Sequence, residues 1–114
     1  STLEKEGIFS FMILETKMLE KYGVSYEDTE DLVNYTVNLD GVELGILFKE
    51  RGPKQVKVSF RSKQFINVNE IASKFDGGGH MRAAGCTINN SLQEAVAMVL
   101  NYIREYLKEH GWNH

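Results

Sequence analysis

Three consecutive glycines, a histidine and an arginine stand within six residues of one another, at Gly77, Gly78, Gly79, His80 and Arg82 in FDGGGHMRAAG (75–85). A glycine run lets backbone N–H groups approach an oxygen-rich anion, because no Cβ intervenes and positive φ is allowed. One glycine is enough to end a helix, so three in succession exceed what a simple stop requires. The His80 ring can donate to a phosphate, and the Arg82 guanidinium can add charge-assisted bonds. The expected chemistry is therefore anion binding rather than nucleophilic attack.

A second group of the same character lies upstream. In SFRSK (59–63), Ser59 and Arg61 fall on one face of an alternating segment, and Ser62 and Lys63 follow at its end. Arginine offers a planar fork that matches phosphate, while serine hydroxyls donate or accept as the ligand demands. The stretch 67–75 returns the chain to the glycines within a short span, so both groups can share one cleft.

The charge distribution points the same way. The chain has 114 residues and a formal charge of −3, but residues 51–82 hold seven lysines and arginines against two acidic residues, whereas residues 1–50 hold four against eleven. The glycine run thus sits in the basic third, where an anionic ligand is favoured locally although the total charge would not suggest one. The single cysteine, Cys86, cannot form an internal bridge, and no apolar run approaches the ~18 residues of a membrane span. A cytoplasmic protein, without membrane association, is expected. His110 and His114 lie in the polar tail EHGWNH, away from any carboxylate cluster, so no metal site is expected in the chain.

The elements that must position these residues are legible from periodicity. GIFSFMIL (7–14) reads as a buried strand, and ETKMLEKYG (15–23) as a helix ended by Gly23. SYEDTEDLVNY (25–35) reads as a helix capped by Ser25 or Asp28, although Val33, Tyr35, Val37 and Leu39 also alternate as a strand would. GVELGILFKE (41–50) and QVKVSFRSK (55–63) form a hairpin about the turn RGPK. In NVNEIASKF (67–75), Val68, Ile71, Ala72 and Phe75 define a short amphipathic helix capped by Asn67 or Asn69. AGCTIN (84–89) is strand-like, and SLQEAVAMVLNYIREYLKEHG (91–111) opens with the capping box Ser91/Glu94 and continues as a long amphipathic helix. The fold class is α/β: a small mixed sheet flanked by helices, with a long C-terminal helix. With 42% apolar residues, residues 1–114 suffice for one domain with its own core.

VKVSFRSK followed by INVNEIASKFDGGGHMRAAGCTI resembles the DHH-associated domain found at the C-terminus of DHH-family phosphoesterases, most closely the nanoRNase/pAp phosphatase branch. The resemblance extends upstream through KYGVSYEDTEDLVNY and GVELGILF, covering most of residues 7–90. It implies a substrate-binding domain that clamps nucleotide phosphates opposite a separate DHH lobe, whose aspartates and histidines hold two divalent metals, usually manganese. Ser59, Arg61 and Ser62 match the family's basic strand motif, and Gly77, Gly78, Gly79 and His80 its glycine loop. Lys63 and Arg82 lie in or beside these motifs. Asp76 stands where many members have a fourth glycine, and its carboxylate is expected to point away from a bound phosphate.

Neither a D-H-H motif nor a metal-ligand set occurs in the sequence, so the chain alone is expected to be inactive, with no cofactor of its own, as a fragment of a larger hydrolase acting on short RNA, DNA or pAp. The expected partners are the DHH lobe and a second copy of the chain. Two alternatives stand beside this reading. One is the equivalent domain of a RecJ-like exonuclease or a cyclic dinucleotide phosphodiesterase; the other is a non-enzymatic dimerisation module.

Overall fold

The computed structural model describes residues 3–21, 29 and 31–112. The positions expected to end the first helix (Gly23) and to cap the second (Ser25, Asp28), together with His114, lie outside the described residues. A six-stranded sheet runs in the order β1-β2-β3-β4-β6-β5. Its strands are β1 (Leu3–Glu6), β2 (Phe9–Leu14), β3 (Leu44–Gly52), β4 (Gln55–Ser62), β5 (Gly78–Gly79) and β6 (Ala83–Ile88). Among the described residues, only β2 and β3 pair in parallel. A parallel pair needs a long crossover, here residues 15–43, which contain α1 (Thr16–Lys21) and α2 (Leu32–Val37). The mixed sheet and flanking helices are those expected from the sequence.

The two faces of the sheet differ. On one, Phe9, Leu44, Ile46, Phe48, Val56, Val58, Phe60, Ala84, Cys86 and Ile88 form the main core with α3 (Val68–Ser73) and α4 (Leu92–Glu109). The expected stripe of α4 buries Ala95, Val99, Leu100, Ile103, Tyr106 and Leu107, and its capping box is present. Burying each large aliphatic side chain of this kind is worth about 1.5–3 kcal/mol, so packing holds α4 far more firmly than its cap. On the other face, α2 presses on β3 at Gly45, where a Cβ would lie 2.1 Å from Thr36 Oγ1. Ser10 Oγ donates to the Thr36 carbonyl from the neighbouring strand, and Val33 packs with Leu14 and Leu47.

Of the two readings of 33–39, the helix is realised, as α2. Coverage of both faces explains why the central strand β3 is buried along Leu44–Lys49 instead of alternating. Strands β1 and β5 extend the sheet beyond the expected elements: β1 is mostly exposed and β5 is two glycines long, so neither has the apolar alternation that marks a strand.

Candidate functional site

Cross-strand register brings the sequence motifs together. Ser10, Gly45, Arg61 and Ala83 form one row across β2, β3, β4 and β6. His80 continues it: His80 N–H donates to the Ala83 carbonyl at 2.8 Å, and Ala83 N–H donates back at 3.3 Å. Arg61 and His80 therefore lie two strands apart in one row, with Cα atoms separated by about 10 Å, twice the usual inter-strand spacing. The next row is Met12, Leu47, Ser59, Gly85 and Gly78.

Both rows face the α2 side of the sheet. Helix α2 lies over the β2–β3 end, and at the other end Ala83, Gly85 and Gly78 present almost no side-chain bulk. The small residues of AAG thus divide their work: Ala84 enters the core, while Ala83 and Gly85 leave a shallow floor between Arg61 and the glycine edge.

Two donors on this floor have capacity to spare. Among the described residues, the half-buried Arg61 guanidinium makes a single hydrogen bond, from Nη1 to the Phe60 carbonyl at 2.9 Å. Ser59 is 7% exposed, yet its hydroxyl bonds to no protein group among the described residues. A buried hydroxyl without a partner costs about 1–3 kcal/mol, and such groups commonly mark a place where water or a ligand completes the structure. His80 is exposed. The groove at the glycine edge is lined by Lys57, Asp76, Gly77, Gly78, Gly85, Cys86 and Thr87.

Three other expected site residues are engaged elsewhere. Ser62 is buried on the core side, and its hydroxyl donates to the Ile66 carbonyl at 2.6 Å. Arg82 Nη1 donates to the same carbonyl and to Ser62 Oγ. Lys63 Nζ reaches the Leu39 carbonyl at 2.9 Å. This group closes the loop after β4 and lies off the Arg61–His80 row.

The glycines act differently from the expected anion cradle. Gly77 N–H bonds to the Ala72 carbonyl at 2.9 Å, Gly79 N–H to Asn69 Oδ1 at 2.9 Å, and His80 N–H is used in the turn. Gly78 is paired with Gly85 in the ladder. Glycine is needed at Gly77 and Gly79 because the chain approaches β6 so closely there: a Cβ on Gly79 would lie 2.7 Å from the Ala83 carbonyl oxygen, and Gly79 has φ +152°. Asp76 holds φ 62°, a conformation that favours glycine and tolerates Asp, and it is among the residues that line the groove at the glycine edge.

Sequence reasoning missed two residues. Glu43, 7% exposed, accepts backbone N–H bonds from Gln64, Phe65 and Ile66, the last two at 2.8 and 2.9 Å through Oε2. It fixes the loop that leaves β4, and only its position between Val42 and Leu44 in an otherwise apolar run could have flagged it. Of the two candidate caps, Asn67 caps α3 by accepting the Asn69 N–H, leaving the Asn69 side chain for Gly79. Among the described residues, no group of three or more His, Cys, Asp or Glu side chains could hold a metal ion. Burial pushes the Cys86 thiol up to about 12, so no thiolate is available near neutral pH. No helix among the described residues is long and apolar enough to cross a membrane.

A mixed sheet that carries Arg61, Ser59 and His80 on one face and the C-terminal helix α4 on the other defines an α/β domain. The chain belongs to the DHHA1 domain family, whose model matches residues 7–109. It is 34% identical over 101 residues to the bifunctional oligoribonuclease and PAP phosphatase NrnA of Thermus thermophilus, covering 88% of this chain and 31% of that protein. The Bacillus subtilis protein of the same description is 34% identical over 109 residues, covering 96% of this chain and 33% of the relative. An exopolyphosphatase-related protein from Bacteroides fragilis has the same fold, with TM-score 0.84 and 24% identity over 94% of this chain and 32% of its own. The chain thus spans about a third of the length of these relatives.

Proposed function

We propose that this chain is the substrate-binding part of a DHH-type phosphoesterase that acts on short oligoribonucleotides or pAp. Arg61 holds a phosphate through its unused guanidinium donors, Ser59 donates its hydroxyl to the same group, and His80 closes on it from the glycine edge. The observation that supports this best is the buried Ser59 hydroxyl beside Arg61, which has no partner among the described residues, because a phosphate oxygen would satisfy it. The relatives' names supply the substrate class. Hydrolysis is assigned to a DHH lobe outside this chain, which spans about a third of its relatives' length, and purified residues 1–114 should release no mononucleotide from a short RNA with manganese present.

The test is titration of the chain with pAp and with a ribodinucleotide, followed by calorimetry and by the His80 ring signals. Saturable binding that Arg61→Ala weakens by about 1.5–3 kcal/mol, the range for bonds to a charged group, supports the proposal. Equal affinity in the native chain and Arg61→Ala would remove it.

A further inference from the structure

We propose that Asn69 is the positioning residue for His80: its side-chain carbonyl anchors the outer edge of β5 and so sets where the imidazole stands over the Arg61 floor. Strand β5 is two residues long and lies at the sheet edge, with β6 as its only strand neighbour among the described residues. One flank of Gly79 is therefore held by the ladder, and its N–H faces away from β6 to Asn69 Oδ1 at 2.9 Å. Among the described residues, Asn69 is the only side chain that hydrogen-bonds the backbone of 77–80. A segment that short cannot hold an edge by pairing alone.

The surroundings give Asn69 a fixed base from which to act. Its backbone N–H is held at 3.0 Å by Asn67 Oδ1, the cap of α3, and α3 is anchored by the buried Val68, Ile71 and Ala72. Upstream, Gly77 is pinned to Ala72. Downstream, His80 opens the hairpin turn to Ala83. Gly79, between these fixed points, is the residue whose placement is transmitted directly to His80. Because Asn67 and not Asn69 is the cap, replacing Asn69 does not uncap the helix, and alanine is favourable at a helical position.

The ligand half of this inference rests on the phosphate site proposed above, so the experiment separates the two. In the 114-residue chain, Asn69→Ala is compared with the native protein and with Asn69→Asp, which keeps an acceptor for Gly79. Three quantities are measured: hydrogen exchange at the Gly79 amide, the NMR line shape of the His80 ring, and affinity for 5′-AMP. Expected for Asn69→Ala are Gly79 exchange at least tenfold faster, a His80 ring signal shifted toward that of a free histidine, and 5′-AMP affinity reduced about fivefold or more, with the melting temperature nearly unchanged. Asn69→Asp should restore Gly79 protection. Unchanged exchange and an unchanged His80 signal in Asn69→Ala overturn the positioning role. So does unchanged affinity in a chain that binds 5′-AMP. If the native chain binds no nucleotide, the proposed function falls, while the exchange and ring signals still decide what Asn69 does.

Discussion

Gly77 and Gly85 approach so closely that a Cβ on Gly77 would lie 2.2 Å from the Gly85 carbonyl oxygen and 2.6 Å from Cys86 Cβ. That contact involves backbone, which cannot swing aside as a side-chain tip can. Gly77→Ala should therefore force the β5 entry away from β6 and destabilise the chain by about 2–3 kcal/mol, the upper range for overpacking. At Gly78 a Cβ meets only Asn69 Oδ1, at 3.4 Å, so Gly78→Ala should cost under about 1 kcal/mol. Denaturant unfolding of the two variants decides; equal losses would mean the run is not read by steric fit.

Glu43 closes the loop after β4 with bonds to three successive backbone N–H groups. Glu43→Ala removes the acceptors and leaves those donors facing a buried site, at a cost of about 2–4 kcal/mol. Glu43→Gln keeps one acceptor oxygen and should lose less. The check is the midpoint of urea unfolding, with the exchange of the Phe65 and Ile66 amides measured alongside. A midpoint for Glu43→Ala within error of the native value would show that water satisfies the loop.

The parts of the fold that follow a strong period were legible in the sequence. The β3–β4 hairpin, α3 and α4 lie where alternation and i, i+3, i+4 spacing put them, because each buries a continuous apolar face. Strand β5 was not legible: two glycines have no pattern, and their extended pairing is imposed by β6 and Asn69. The site was legible as a set of residue types but not as a set of roles. Ser59 and Ser62 read alike in SFRSK, yet strand alternation turns one toward the Arg61 floor and the other toward Ile66. The glycines suggested free N–H donors, whereas tertiary contacts consume those at Gly77 and Gly79. Such contacts span up to ten residues of sequence, beyond the reach of local pattern.

Glu6 and Arg104 form a two-point ion pair, Nε and Nη2 each 2.8 Å from a carboxylate oxygen. The hydrogen bond from Arg104, more than its charge, holds the Glu6 carboxyl below its ordinary value of 4.5. A depressed carboxylate contributes stability that is fully present above its unfolded value and is lost as pH falls through the folded one. Both side chains are nearly half exposed, at 46% and 45%, so solvent screening limits the effect to under about 1 kcal/mol. The difference in melting temperature between the native chain and Glu6→Gln should be small at pH 7 and shrink as pH falls below 4.5 through the lowered folded value. A difference that grows on acidification would contradict the assignment.

Ser59 and Ser62 give the sharpest separation of site from scaffold, because they are neighbours in sequence, buried alike at 7% and 8% exposure, and opposite in their bonding. Ser62→Ala removes the bond to the Ile66 carbonyl and the hydroxyl beside Arg82, so it should lower stability by about 1–2 kcal/mol. Its nucleotide affinity should stay within about twofold of native. Ser59→Ala removes a hydroxyl that has no protein partner among the described residues, which relieves desolvation and should leave stability equal or raise it by up to about 1 kcal/mol. Its nucleotide affinity should fall about fivefold or more, the loss of one bond to a charged phosphate. Calorimetric titration with pAp and thermal unfolding of both variants give four numbers. If Ser59→Ala lowers the melting temperature while binding pAp as the native chain does, its hydroxyl serves the fold, and the proposed phosphate site at Ser59 is wrong.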